Sequence, residues 1–194
     1  KRENNDADRV RSYQPTTAGR DTLDQIYKEF LELEHWSDQE HLRGKKFSEL
    51  FERVLKLSFG TRNVAGSLIV DGVQSDATFK YGANVYRVEM SWDSRPNDRT
   101  EVDKIIVRLE RTPYGRGLLV SMSGFTDTVH SEVVRERSHQ HIILLIDREE
   151  FRNVLRGEIR LESLIEEKEA QVYGLPIPEP SLVTPDGVSP PPRS

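Results

Sequence analysis

Apolar residues recur at helical spacing in two segments of the first third of the chain. The first set is Leu23, Ile26, Tyr27, Phe30, Leu31 and Leu33, and the second is Phe47, Leu50, Phe51, Val54 and Leu55. This spacing predicts two amphipathic helices, the second beginning near Gly44 and ending at Gly60. Three strand-like runs follow at 67–71, 76–81 and 86–92, with a turn at 82–84.

The second half alternates helices with short apolar strands. Val102, Ile105, Ile106 and Leu109 mark a helix that Thr100 and Asp103 are placed to cap. Apolar strands at 117–120 and 142–146 are separated by a short helix after Thr126, and Asp147 opens the next helix. Apolar strands joined through helices are typical of parallel strands covered on both faces. We therefore expect an α/β fold with a mixed central sheet of about five strands flanked by helices, into which the three earlier strands feed as a meander.

The two ends of the chain differ from this patterned centre. Residues 1–19 are polar without periodicity, which predicts a disordered segment. Residues 176–194 hold seven of the ten prolines, which predicts an extended, unpacked tail, with a proline-rich partner motif as the less favoured interpretation. Between them we expect a helical extension over 20–42 and one α/β domain over 43–175.

Composition narrows the functional classes. Hydrophobic residues make up 35% of the chain, charged residues 31%, and the net charge is -5, which argues against a surface that is basic throughout but allows a local basic groove. The absence of cysteine excludes disulfides and thiolate metal sites. The sequence has neither an apolar run of about 18 residues nor an apolar signal at its start, so we expect a cytoplasmic protein without a membrane partner.

The hairpin over 76–92 carries the candidate chemistry. Side chains alternate along a strand, so Glu89 shares a face with Arg87 and Ser91, and Asp76 shares one with Lys80. If the strands pair in register, Asp76 and Glu89 converge, with Lys80 and Arg87 nearby. Two carboxylates on adjacent strands suit Mg²⁺, which takes oxygen ligands and few protein groups. A solvated polar face on an edge hairpin has the same alternation, and periodicity alone favours that interpretation.

Two segments resemble the active-site block of a known family: Gly72-Val73-Gln74-Ser75-Asp76-Ala77-Thr78-Phe79 and Tyr86-Arg87-Val88-Glu89-Met90-Ser91-Trp92. The block is that of a bacterial restriction-endonuclease-like family in the PD-(D/E)xK superfamily, close to the Mrr-type enzymes. It runs approximately Gly-Glu-Gln-Ile-Asp-Gly-Ser-Phe, then Tyr-Leu-Val-Glu-Ala-Lys-Trp. The similarity continues in Arg43-Gly44, 116–126 and 142–155, and so covers roughly residues 43–175.

The resemblance implies roles for individual residues. Asp76 and Glu89 match the metal-binding carboxylates, and Gln74 matches the polar residue that precedes them. The family's lysine two residues after the glutamate is replaced by Ser91, whose hydroxyl cannot supply a fixed positive charge to a developing oxyanion. Lys80 and Arg87 are the candidate substitutes, with salt bridges to the carboxylates as their alternative role. The family has an acidic residue directly after the apolar anchor that Phe47 matches. This sequence has Ser48 at that position, and the acidic residue Glu49 follows one position later.

The resemblance implies a restriction-endonuclease-like domain of a bacterial defence-type protein. Its expected ancestry is Mg²⁺-dependent hydrolysis of DNA phosphodiesters, with catalysis impaired by the change at Ser91. The alternative is a non-catalytic module that keeps the nuclease fold and binds DNA, a partner protein or a second copy of itself. The retained Asp76, Glu89 and Gln74 favour the first interpretation, and the altered site with the acidic balance favours the second.

Three further features carry less weight. His139-Gln140-His141 has the spacing of a metal pair, but a solvated turn before a buried strand is favoured. Ser121 and Ser123 lack the surrounding glycines of a nucleophile elbow. Three arginines form a basic run that either contacts a DNA backbone or is simply solvated: Arg108, Arg111 and Arg116.

Overall fold

The computed structural model describes residues 17–36, 40–70, 73–111, 115–136 and 141–176. Six α-helices are described: α1 (Thr17–Glu34), α2 (Glu40–Phe59), α3 (Arg99–Glu110), α4 (Asp127–Glu136), α5 (Arg148–Leu155) and α6 (Leu161–Tyr173). The described strands are β1 (Val64–Ala65), β2 (Leu68–Val70), β3 (Val73–Ser75), β4 (Ala77–Tyr81), β5 (Asn84–Ser91), β6 (Gly115–Ser121) and β7 (Ile143–Asp147). Within these segments, no helix has both the length and the apolar character needed to cross a bilayer.

A mixed sheet of five strands forms the centre of the fold. Its order is β1-β4-β5-β6-β7, and its first two pairings are antiparallel, whereas β5, β6 and β7 are parallel to one another. The crossovers between the parallel strands run through α3 and α4. The predicted α/β class, with about five strands in a mixed sheet flanked by helices, is confirmed.

The predicted meander is wrong in its first strand. The run at 67–71 forms β2, which pairs with β3 in a separate two-stranded sheet. The outer position in the main sheet belongs to β1, where Val64 pairs with Phe79. Only two residues of β1 pair, which is too short for any alternation of apolar and polar residues to reveal it.

Apolar cores lie on both faces of the sheet. The larger core contains an aromatic cluster in which Phe47 and Phe30 each lie 5.3–5.6 Å from the rings of Trp92 and Phe151. Helix α1 adds Ile26 and Phe30 to this core, so the predicted helical extension packs on the same body as the domain it precedes. Helix α1 begins at Thr17, inside the segment expected to be disordered, so that boundary was placed too late; residues 1–16 and 177–194 lie outside the described residues.

Helices α3 and α4 cover the other face of the sheet. Val102, Ile105 and Leu109 of α3 pack in a second core with Leu119 of β6. At Gly117 of β6 a Cβ atom would lie 2.8 Å from Cδ1 of Ile105, so glycine permits this close approach.

The start of α3 differs from the prediction. Its N-cap is Asp98, whose Oδ1 accepts a hydrogen bond from the Thr100 amide at 2.8 Å. The predicted caps, Thr100 and Asp103, lie inside the helix. At α5 the predicted start is confirmed, because Asp147 and Glu150 form a reciprocal capping box.

Candidate functional site

A cavity of about 740 Å³ opens where the hairpin meets α2 and α3. Its walls come from the first half of α2, the end of β5, the loop after it and the first half of α3. The lining residues used below are Lys45, Ser48, Asp76, Glu89, Ser91, Asn97, Glu101 and Lys104.

Asp76 and Glu89 lie across from each other at the open end of the β4–β5 hairpin, away from its turn. Ala77 pairs with Val88, so the residue before Ala77 meets the residue after Val88. Asp76 lies at a bend just before β4, where its amide donates to the Val88 carbonyl at 3.2 Å. Both residues line the cavity. The structure therefore brings the two predicted carboxylates together on one face of the sheet, where the period-two alternation placed them.

Glu89 is a largely buried acid that forms an ion pair with Arg108. Its Oε2 lies 2.7 Å from Nη1 of Arg108 on α3, and the two side chains are only 15% and 16% exposed. Its Oε1 is buried and accepts a hydrogen bond from no residue in the described part of the chain. Burial raises the pKa of Glu89 to about 8, and the Asp76 charge adds to the rise, while the charges of Arg108 and Lys104 and a hydrogen bond from the Asp76 backbone oppose it.

Asp76 has a different hydrogen-bond environment. Its Oδ2 accepts a hydrogen bond from the Met90 amide at 2.8 Å, which holds the carboxylate beside β5. Burial raises the pKa of Asp76, and the Met90 amide and the charges of Arg108 and Lys104 act in the opposite direction. Two carboxyl groups with raised pKa values, placed side by side, indicate a site where negative charge is poorly compensated.

Ser91 is held in place without adding charge. Its hydroxyl donates to Oδ1 of Asn97 at 2.7 Å. Asn97 is itself buried, and its backbone is fixed by bonds to Gly124 and Thr126 of 2.9 and 3.0 Å. Ser91 is therefore a neutral residue whose hydroxyl is engaged with the loop that follows β5.

Three other predicted site residues, Lys80, Arg87 and Glu49, lie outside the cavity lining. Lys80 is exposed and pairs with Val85, about 13 Å along the strand from Asp76. Arg87 donates to Oγ1 of Thr78 at 3.0 Å on the neighbouring strand. Glu49 is exposed and pairs with Lys46 at 2.8 Å, whereas its neighbour Ser48 lines the cavity. The side chain of Gln74 lies outside what the structure describes, although its backbone pairs with Ile69 in β3.

A divalent cation fits the two carboxylates. Nowhere in the described segments do three His, Cys, Asp or Glu residues gather as ligands for one metal ion. Mg²⁺ commonly uses only one or two protein carboxylates, with waters and substrate phosphates as its remaining ligands. The buried Oε1 of Glu89, which lacks a hydrogen bond from a described residue, is an oxygen that such a cation would satisfy.

Several cavity residues were not predicted from the sequence as site residues, among them two lysines and an asparagine. Lys104 lies on α3, Lys45 on α2 and Asn97 in the loop between β5 and α3. Arg108 was predicted only as part of a basic run. The sequence did indicate that Lys104 and Arg108 share one face of a helix, because they are four residues apart in the helix that follows β5. Nothing local in the sequence marks Lys45 or Asn97.

The weaker candidates have structural roles. The Ser121 hydroxyl is buried and donates to the Gly124 carbonyl at 2.8 Å, and the Ser123 hydroxyl donates to the Asp93 carbonyl. Nδ1 of His141 lies 3.4 Å from Glu136, while His139 and Gln140 lie outside the described residues.

The predicted basic run does not form one surface. Arg108 pairs with Glu89 under α3, but Arg116 pairs with Glu169 of α6. Arg116 lies on β6 and aligns with Tyr86, on the face of the sheet that packs against α6.

Comparison with known proteins gives limited similarity. No family model matches the sequence, and no curated protein matches it. Among solved structures, the chain is similar to the MspJI restriction endonuclease in complex with a 27-mer oligonucleotide, with a TM-score of 0.43 and 18% sequence identity. The match covers 83% of this chain and 36% of that chain.

Proposed function

We propose that the cavity is a divalent-cation-dependent phosphodiesterase site that acts slowly on DNA, in a domain of a bacterial defence-type protein. The observation that carries the proposal is the placement of Asp76 opposite Glu89, with both carboxylates in one cavity. The raised pKa of each acid supports it, because an added cation would compensate charge that the chain itself leaves poorly balanced.

Asp76 and Glu89 would each contribute one carboxylate oxygen to the cation. Oδ2 of Asp76 accepts a hydrogen bond from the Met90 amide, which fixes the carboxylate and leaves its other oxygen for the cation. Oε2 of Glu89 forms an ion pair with Arg108, so Oε1 is the oxygen that would bind the cation. A bound Mg²⁺ supplies Lewis-acid polarisation of a phosphate oxygen and lowers the pKa of a bound water.

DNA is proposed as the substrate for two reasons. The residues around Asp76 and Glu89 resemble the active-site block of a restriction-endonuclease-like family. The cavity is also lined by Lys45 and Lys104, which can attract a phosphate although the chain as a whole is acidic. Such contacts position a backbone without reading its sequence, so no base preference follows from them.

Slow turnover is expected from Ser91. Its hydroxyl is committed to Asn97 and carries no charge, so β5 offers no fixed cation beyond Glu89. Removing one preorganised stabilising group from an active site typically lowers the rate by about 10²–10³-fold. The proposed activity is therefore weak but dependent on both carboxylates.

Incubation of supercoiled plasmid with the protein and Mg²⁺ or Mn²⁺ tests the proposal. We expect slow nicking that EDTA abolishes and that Asp76→Ala lowers by at least about 10²-fold. Asp103→Ala is the matched control, because Asp103 is an exposed acid that pairs with Arg99 on α3 and lies outside the cavity lining. Cleavage that persists in Asp76→Ala, or the absence of any cleavage by the wild type, would overturn the proposal.

A non-catalytic DNA-binding role is the second candidate, and the Arg108–Glu89 ion pair favours it. This pair provides part of the neutralisation that a cation would otherwise provide. In that case the protein binds DNA without cutting it, and the affinity falls as salt rises because phosphate contacts release counterions. Binding without cleavage in the plasmid assay would favour this candidate.

A further inference from the structure

We propose that Lys104 contacts the scissile phosphate and supplies from α3 the positive charge that the Ser91 hydroxyl cannot supply. This inference rests on the proposed function and names a catalytic residue for it. Lys104 lines the same cavity as Asp76 and Glu89, although it is distant from both in sequence. Its charge acts on both carboxylates, since it opposes the rise of each pKa.

The placement of Lys104 follows from the packing of α3. Val102, Ile105 and Leu109 anchor the helix on the sheet, and Gly117 lets Ile105 approach β6 closely. Lys104 and Arg108 are one helical turn apart, so their side chains project from the same part of α3. Arg108 reaches Glu89, and the turn of α3 before it contributes Glu101 and Lys104 to the cavity lining.

Lys104 is better suited than Arg108 to meet a substrate. The Arg108 side chain is 16% exposed and already engaged with Glu89, whereas the Lys104 side chain is 54% exposed. Lys104 forms an ion pair with Glu101, three residues earlier on the same helix, at 2.9 Å. Exposed pairs of this kind contribute little, so a phosphate can replace Glu101 at small cost.

The chemical step is a hydrolysis. A water oxygen forms a bond to phosphorus, the ester P–O bond opposite it breaks, and the leaving oxygen takes up a proton while the attacking water gives one to solvent. Lys104 transfers no proton in this scheme. Its ammonium donates hydrogen bonds to a non-bridging phosphate oxygen, on which negative charge increases during the attack.

Two assays on one set of variants test the inference: cleavage of a short duplex in Mn²⁺, and fluorescence anisotropy of the same duplex in Ca²⁺. Lys104→Ala should lower kcat by about 10²-fold and the affinity for the duplex by about tenfold. The slope of log affinity against log salt concentration should decrease by the amount expected for the loss of about one phosphate contact. Lys104→Arg should restore most of the affinity, since it restores the charge. Glu101→Gln should raise the affinity, because it releases Lys104.

The matched control is Lys56→Ala. Lys56 also pairs with a glutamate of its own helix, Glu52, and lies outside the cavity lining. We expect this variant to behave as the wild type in both assays. If Lys104→Ala also behaves as the wild type while Asp76→Ala abolishes cleavage, the role of Lys104 is overturned and the phosphodiesterase stands. If the wild type neither binds nor cleaves the duplex, both proposals are overturned.

Discussion

The Arg108 guanidinium on α3 holds Oε2 of Glu89 on β5 at 2.7 Å, across the face of the sheet that carries Asp76. This ion pair joins the helix to the candidate site and leaves Oε1 of the same carboxylate buried without a hydrogen bond from the described residues. One carboxylate oxygen of Glu89 thus has a partner, whereas the other has no hydrogen bond from the described residues.

Cation affinity should depend on the protonation of Glu89. The pKa of Glu89 is raised to about 8, so below that pH a cation must displace a proton before it binds. We expect the affinity for Mn²⁺ to rise about tenfold per pH unit between pH 6 and 8 and then to level off. Isothermal titration calorimetry in buffers of different ionisation enthalpy measures both the affinity and the proton released.

The companion variant for this titration is Glu89→Gln. It removes the titrating group but keeps a side chain of similar shape, so we expect weak binding with little pH dependence. A wild-type affinity that stays constant from pH 6 to 8 would contradict the account of Glu89.

Loss of Arg108 should make stability more sensitive to high pH. Because the folded pKa of Glu89 lies above its unfolded value, the native state binds the extra proton, and stability falls as pH rises towards 8. Arg108→Met removes a charge that opposes this rise, so the folded pKa of Glu89 increases further. We expect the stability deficit of the variant to grow above pH 8, by about 1.4 kcal/mol per unit of added pKa.

Urea unfolding of the wild type and Arg108→Met at pH 6 and pH 9 measures this effect. Arg111→Met is the control, since Arg111 is an exposed arginine just after the same helix. An Arg108→Met deficit that is equal at the two pH values would show that the ion pair does not control the ionisation of Glu89.

Much of the fold was predictable because its signals are local. The apolar runs of β6 and β7, the helical spacing in α2 and the Asp147 cap each lie within a few consecutive residues. The separate β2–β3 hairpin was missed because pairing partners are set by the tertiary fold. Asp98 replaced the predicted caps of α3, since several polar residues near a helix start satisfy the same rule.

Substitution of Ser91 by lysine should increase cleavage. Ser91 pairs with Ser121 in the parallel part of the sheet, and its side chain lines the cavity. A lysine there adds a cation close to Glu89, for which we expect a gain of at least about tenfold in plasmid nicking. It also removes the hydrogen bond to Asn97, which should cost about 1–2 kcal/mol of stability.

Ser91→Ala separates the two effects. It loses the same hydrogen bond without adding a charge, so we expect a similar loss in urea unfolding and no gain in cleavage. If Ser91→Lys folds but nicks plasmid no faster than Ser91→Ala, the correspondence of Ser91 with the family's lysine is wrong.

The candidate site was predictable only along the hairpin. Asp76 and Glu89 follow from strand alternation and one register, both of which the sequence indicates. Lys80 was selected because it shares a strand face with Asp76, but distance along that strand removes it from the cavity. The packing of α3 on the sheet brings Arg108 to Glu89 and places Lys104 in the cavity lining, and the spacing of these two residues on the helix does not specify which strand the helix packs against.

The most direct measurement is the anomalous scattering from crystals soaked in Mn²⁺ at pH 8.5, where Glu89 is largely ionised. The account predicts a peak in the cavity at about 2.1–2.2 Å from one carboxylate oxygen each of Asp76 and Glu89. Peaks elsewhere on the protein with none between these two residues, or a cation bound by one acid while the other points away, would contradict it.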